Sequence, residues 1–314
     1  MASATDDVMR FLKNRGWAGR IVGVKRLHEL REAIEARRDR SLFDEDFYQE
    51  QLRGFTFQPP ELLPGVRSII IIAVPVPQTR AIFHTNGGPL PAVLPPTYAG
   101  YSATTDKVRA ALGDFLASKG HRVAKTVLPL KTLAVGSALA DYGRNNICYV
   151  NGMGSFLQLV GCYSDLPCPG GSWREATMLE RCKSCSACEL RCPTEAIRQD
   201  RFLLRAERCL TFHNERPGEF PDWIDPSAHN CLIGCMHCQS VCPENKSHLA
   251  WMEDRCEFSM EETALMLKRV ALDQLPPVMK EKLRSLELNE AFENLCRNLS
   301  ALVGAESKTR PPRA

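Results

Sequence analysis

Two cysteine runs constrain this chain more than any other feature. The first reads Cys182-Lys-Ser-Cys185-Ser-Ala-Cys188-Glu-Leu-Arg-Cys192-Pro193. The second places Cys231, Cys235, Cys238 and Cys242 ahead of Pro243. Thiolates spaced C-x2-C-x2-C-x3-C-P wrap three corners of a cubane [4Fe–4S] cluster and send the fourth cysteine to another one. Zinc sites usually close with four ligands in two pairs, and disulfides need an oxidising compartment. The paired runs therefore read as ligands for two [4Fe–4S] clusters. Short loops between the ligands are what ligation this dense imposes.

Nine cysteines between residues 182 and 242 stand against eight ligand positions. If the clusters exchange fourth ligands, one takes Cys182, Cys185, Cys188 and Cys242. The other takes Cys192, Cys235, Cys238 and either Cys209 or Cys231. Three residues separate Cys231 from Cys235, one too many for the compact triplet. His213 and His237 read as neighbours of these ligands, not as ligands. The remaining cysteines, Cys148, Cys162, Cys168, Cys256 and Cys296, read as small apolar side chains.

The 314 residues leave room for two domains and a smaller third unit. A chain of this length buries roughly 75% of its unfolded surface, so its 14 cysteines are chemistry, not staples. The N-terminal Met1-Ala-Ser-Ala-Thr-Asp-Asp-Val has no basic region, apolar region or twin arginine. The longest apolar run, Ile69 to Pro75, is too short to span a bilayer. A reducing cytoplasm and no membrane association are the expectations. A net charge of +3 makes no case for nucleic acid. Arg31 to Arg40, interleaved with Glu32, Glu35 and Asp39, reads as a solvated helix face.

The rest of the chain predicts an α+β fold. Helices are expected over 5–15, 27–36, 44–51, 104–117 and 131–140, with strands at 19–24, 69–76, 122–128, 147–151 and 156–162. Residues 77–102, rich in Pro, Gly and Thr without periodicity, read as a long loop. Ser259 to Glu262 is a capping box, followed by helices near 277–286 and 289–303. The domain reading is a core over 1–170, a cluster module over 171–250, a helical segment over 251–304 and a disordered polar tail over 305–314. Neither a GxGxxG nor a P-loop signature is present.

A family likeness adds to this. Leu63-Pro-Gly-Val-Arg-Ser-Ile-Ile, Gly143-Arg-Asn-Asn146, Gly154-Ser155-Phe156, Ser164-Asp-Leu-Pro167 and the first cysteine run occur in one order. Together they resemble the cobalamin-dependent iron–sulfur reductases, namely epoxyqueuosine reductases and reductive dehalogenases, over residues 63–250. The resemblance implies a nitroreductase-like α/β core holding a base-off corrinoid, with an inserted ferredoxin-like double [4Fe–4S] domain. It also implies that Arg208-Cys209 supplies the second cluster's last ligand, and that Gly143, Arg144, Asn145, Asn146, Gly154, Ser155 and Phe156 line the corrinoid. The bland reading of those glycines and asparagines is turn chemistry.

Two departures matter. The aspartate that looks like the general acid of epoxyqueuosine reductases has no counterpart, because the aligned position falls near Lys125. Epoxyqueuosine reductases also carry a long C-terminal helical repeat domain for tRNA, whereas only about 60 residues follow the cluster module here. Epoxyqueuosine-tRNA is thus not the expected substrate, and nucleic acid is not an expected partner. The expected function is a corrinoid iron–sulfur reductase fed by a ferredoxin or flavodoxin, acting on a small molecule. Tyr98, Tyr101, Lys125, Lys131 and Tyr142 are the candidate proton donors. The competing reading is a non-catalytic electron carrier serving a redox partner protein.

Overall fold

A computed structural model describes residues 3–168 and 170–309. In chain order its main elements are α1 (Ala4–Lys13), β1 (Ala18–Gly23), α2 (Leu27–Asp39), α3 (Glu45–Phe47), β2 (Ser68–Pro75), β3 (Gln78–Thr85) and β4 (Gly88–Leu94). Next come α4 (Tyr101–Ala117), β5 (Val123–Lys125), α5 (Leu130–Gly136), β6 (Asp141–Tyr142), β7 (Cys148–Tyr149) and β8 (Leu157–Ser164). The cysteine-rich stretch holds α6 (Ala187–Arg191), α7 (Leu210–Glu215) and α8 (His237–Ser240). The chain closes with β9 (Met252–Phe258), α9 (Met260–Leu267), α10 (Pro277–Ser285) and α11 (Phe292–Thr309). No helix among the described residues is long and apolar enough to cross a membrane.

The chain forms two compact units, each assembled from several segments. The first comprises residues 1–75, 103–186 and 199–206, and the second comprises 76–102, 187–198 and 207–314. This division differs from the linear one at 170, 250 and 304, because segment 76–102 and the cysteine-rich stretch join the C-terminal helices.

The first unit is built on a sheet of order β1-β2-β8-β5, antiparallel at every pairing. The isoleucine run occupies the interior strand β2, paired along both edges, and Ile69 to Ile72 are fully buried there. Leu27 and Leu30 of α2 and Leu133 to Val135 of α5 share one core with Ile69, Ile71 and Tyr163 of the sheet. Beside it, β6 and β7 form a small hairpin.

The second unit holds a sheet of order β4-β3-β9. Its β3–β4 hairpin corrects the expectation of a long loop over 77–102. Asn86-Gly87 sits in the turn, the strongest local hairpin signal, and the prolines hid it. Pro89 and Pro91 face solvent on β4 while Leu90, Ala92 and Leu94 are buried. An edge strand tolerates proline in this way. Phe83 and Phe258 pair across β3 and β9 and stack at 4.6 Å. Ser259 caps α9 with the reciprocal Glu262 bond that its sequence foretold. The tail expectation also needs correcting. Residues 305–309 continue α11, since nothing before Arg310 and Pro311 disfavours helix; residues 310–314 lie outside the described residues.

Candidate metal centres

The second unit contains Cys192, Cys209, Cys235 and Cys238. Cys209 is the residue before α7, and Cys238 lies in α8. Burial raises the Cys209 thiol above its ordinary range, and the neighbouring charge of Cys192 adds to the effect. Burial likewise pushes Cys235 up to about 12, with Cys209 and Cys192 adding to it. These three sulfurs therefore feel one another. Thr211 offers its N–H and hydroxyl to Cys209, and the N–H of Phe212 points to the same sulfur. The N–H of His237 and the side chain of Asn230 do this for Cys235. A shared thiolate pocket lined by N–H donors suits a cluster, whose potential such bonds tune.

Cys231 is fully buried beside Leu232 and Ile233. Burial dominates the upward shift of its thiol, with Cys235 as the neighbouring charge. Among the described residues no three His, Cys, Asp or Glu side chains converge closely enough to hold a single metal ion. A cubane spreads its thiolates more widely than one ion does. The two histidines are occupied elsewhere: the Nε2 of His213 donates to the Glu207 carbonyl at 2.8 Å, and that of His237 to the Ala228 carbonyl at 2.9 Å.

The frame of this pocket comes from residues that sequence reading did not single out. Asn214 at the end of α7 donates to the Gly234 carbonyl at 2.6 Å. Asn298 of α11 donates to the carbonyls of Asn214 and Leu232 at 3.0 and 2.9 Å. Arg297 is 5% exposed, and its guanidinium donates to the carbonyls of His213, Asn214, Arg216 and Gly218. Tyr98, a candidate proton donor, packs its ring on Gly234 and donates its hydroxyl to Glu215. Burial and the Glu215 carboxylate raise its phenol far above the ordinary range. Gly234 has φ +71, and an added Cβ there would meet that ring at 2.6 Å.

In the first unit, Gly143 to Ile147 form the turn of the β6–β7 hairpin. The Gly143 N–H donates to the Ile147 carbonyl at 2.8 Å and Asn146 holds φ 56, a left-handed conformation that asparagine tolerates. An added Cβ on Gly143 would sit 2.4 Å from Asn145 Oδ1 and 2.5 Å from the Tyr149 ring. Asn145 donates to Tyr149 at 2.9 Å, and Asn146 bonds Phe202 and Leu204. Residues 177–179 bond along β6, since Tyr142 N–H donates to the Thr177 carbonyl and Leu179 N–H to that of Tyr142. This brings the first cysteine run to the turn, where Arg144 donates to the carbonyls of Cys182 and Cys185.

Gly154, at φ 56, closes a second turn through the Val150 N–H bond to its carbonyl. Ser155 is 3% exposed and Phe156 fully buried. The polar side chains expected to line a corrinoid are thus committed within their own unit. Of the other proton-donor candidates, Tyr142 adjoins the turn, buried, hydrogen-bonded to Thr132 and pushed up to about 12 by that burial. Lys125 and Lys131 are exposed in the same unit, and Tyr101 opens α4, 39% exposed.

Residues 181–245 match the family model of a 4Fe-4S double cluster binding domain. Curated relatives include the epoxyqueuosine reductase of Burkholderia pseudomallei, 31% identical over 45% of this chain and 35% of its own length. That of Salmonella typhimurium is 25% identical over 72% of this chain and 60% of its own. Among solved structures, the Bacillus subtilis epoxyqueuosine reductase superposes with a TM-score of 0.66 and 22% identity, covering 98% of this chain and 86% of that one. By these comparisons the chain is similar to epoxyqueuosine reductases and carries a double-cluster module. It matches only 35% and 60% of the length of those two curated relatives. A further epoxyqueuosine reductase was solved with an epoxyqueuosine-modified tRNA stem loop. It superposes with a TM-score of 0.68 and 21% identity over 98% of this chain and 86% of its own. The expectation that nucleic acid is not a partner therefore finds no support.

Proposed function

We propose that this chain is an iron–sulfur oxidoreductase that carries electrons through two [4Fe–4S] clusters to a substrate-reducing centre. The observation that carries the reading is the double-cluster family match over 181–245, which contains all nine cysteines of the two runs and the segment between them. In this reading Cys182, Cys185, Cys188 and Cys242 hold one cluster, and Cys192, Cys209, Cys235 and Cys238 hold the other. An external one-electron donor of the ferredoxin or flavodoxin type supplies the electrons. The cluster supplies redox chemistry, while Thr211, Phe212, His237 and Asn230 aim donors at its sulfurs and set its potential.

The substrate-reducing centre is proposed to be a corrinoid in a nitroreductase-like core. Its support is the ordered likeness of residues 63–167 to the cobalamin-dependent reductases, and the antiparallel sheet of the first unit. In this reading Gly143, Arg144, Asn145, Asn146, Gly154, Ser155 and Phe156 would line it, with the side chains of Arg144, Asn145 and Asn146 held in place by bonds inside that unit. No step is assigned to them there.

Anaerobic measurement of iron, sulfide and cobalt, with absorption spectra before and after adding cobalamin, tests this function. About eight irons per chain and a cobalamin spectrum shifted to the base-off form are the expected results. Clusters without cobalamin binding would replace the reductase by the electron carrier. An epoxyqueuosine-modified stem loop is the first substrate to offer the loaded protein, because a structural neighbour was solved with one.

A further inference from the structure

Arg144 belongs to neither cysteine run, yet its guanidinium is committed to one of them. Nε donates to the Cys185 carbonyl at 3.2 Å, and Nη2 donates to that of Cys182. The side chain is half-buried, and among the described residues no carboxylate pairs with it. Its backbone is held from both sides. Gly143 leaves no room for a Cβ, and Asn146 is anchored to Phe202 and Leu204. The bonds from Tyr142 and Leu179 fix the approach of the cysteine run. The cation is therefore presented by a rigid hairpin to the backbone of two ligand cysteines.

A cubane held by four thiolates is anionic and gains one more negative charge when it takes up an electron. A fixed cation beside two of its ligands favours the reduced form, and potentials of such clusters follow net charge and hydrogen bonding. Only an electron moves in this step, and no bond to Arg144 forms or breaks. We propose that Arg144 is a positioning residue of the cluster ligated by Cys182 and Cys185, and that its charge raises that cluster's reduction potential. The inference rests on the two-cluster reading above and is independent of the corrinoid.

The test uses the whole chain, reconstituted anaerobically without cobalamin, with each cluster's midpoint followed by EPR-monitored titration. Arg144→Gln removes the charge and Arg144→Lys keeps it. With iron content unchanged, Arg144→Gln should move one midpoint to more negative potential and leave the other in place. The reduced-to-oxidised ratio of that cluster at the wild-type midpoint should fall several-fold, while Arg144→Lys keeps the wild-type value. Two unmoved midpoints in Arg144→Gln, or an equal shift in Arg144→Lys, would overturn the assignment. If Arg144→Gln sheds iron, the lysine variant decides alone: a wild-type midpoint supports the role of charge, and a negative shift refutes it. Wild-type protein with fewer than about eight irons would defeat the two-cluster reading itself, before any variant is compared.

Discussion

Asn214 donates its side-chain N–H to the backbone carbonyl of Gly234 across 20 residues, at 2.6 Å and fully buried. That bond ties the helix beginning after Cys209 to the loop that carries Cys231 and Cys235. Asn298 and Arg297 of α11 close over the same joint from the C-terminal side. The C-terminal helix is thus part of the frame of the cysteine pocket.

Asn214→Ala should leave the Gly234 carbonyl buried without its donor. The cost is about 1–3 kcal/mol, read as a lower denaturation midpoint and faster loss of iron on anaerobic dilution. A variant as stable and as slow to lose iron as the parent would contradict the framing role.

Gly143→Ala should destabilise the first unit by about 1–3 kcal/mol, because the new methyl meets Asn145 Oδ1 and the Tyr149 ring inside van der Waals contact. Thermal melting measures this. An unchanged midpoint would show that the hairpin turn yields freely.

Asp165 gives a pH signature. Burial, the largest single influence, raises its carboxyl, but hydrogen bonds from the Arg122 N–H and guanidinium and from His121 outweigh it and hold the group below the ordinary aspartate range. A carboxylate depressed in the folded state contributes stability above its unfolded pKa, near 3.9, and loses it as pH falls through the folded value. Asp165→Asn should therefore be less stable than the parent at neutral pH, and the gap should close on acidification below pH 4 or so. Urea midpoints taken across that range would refute the pairing if the gap stayed constant.

Much of the fold was legible in local pattern. The isoleucine run could only be a covered strand, and Ser259 with Glu262 marked a helix start that the backbone confirms. The β3–β4 hairpin was hidden because Pro89 and Pro91 argue against strand, and only the edge position of β4 reconciles them. At the candidate site, the cysteines announce themselves by spacing. The partners that shape their pocket do not: Arg297 reaches His213 across 84 residues, and Arg144 reaches Cys182 across 38. Such pairings depend on which segments the tertiary fold brings together, and no periodicity in the chain encodes them. Tyr98 shows the same limit, since its place at the end of segment 77–102 gave no hint of Glu215.

In the proposed ligand set, Cys209 and not Cys231 completes the second cluster. Iron per chain in anaerobically reconstituted Cys209→Ala and Cys231→Ala distinguishes the two cysteines. The expected result is a drop from about eight irons to about four in Cys209→Ala and no loss in Cys231→Ala. The reverse pattern would contradict it and move the ligand to Cys231.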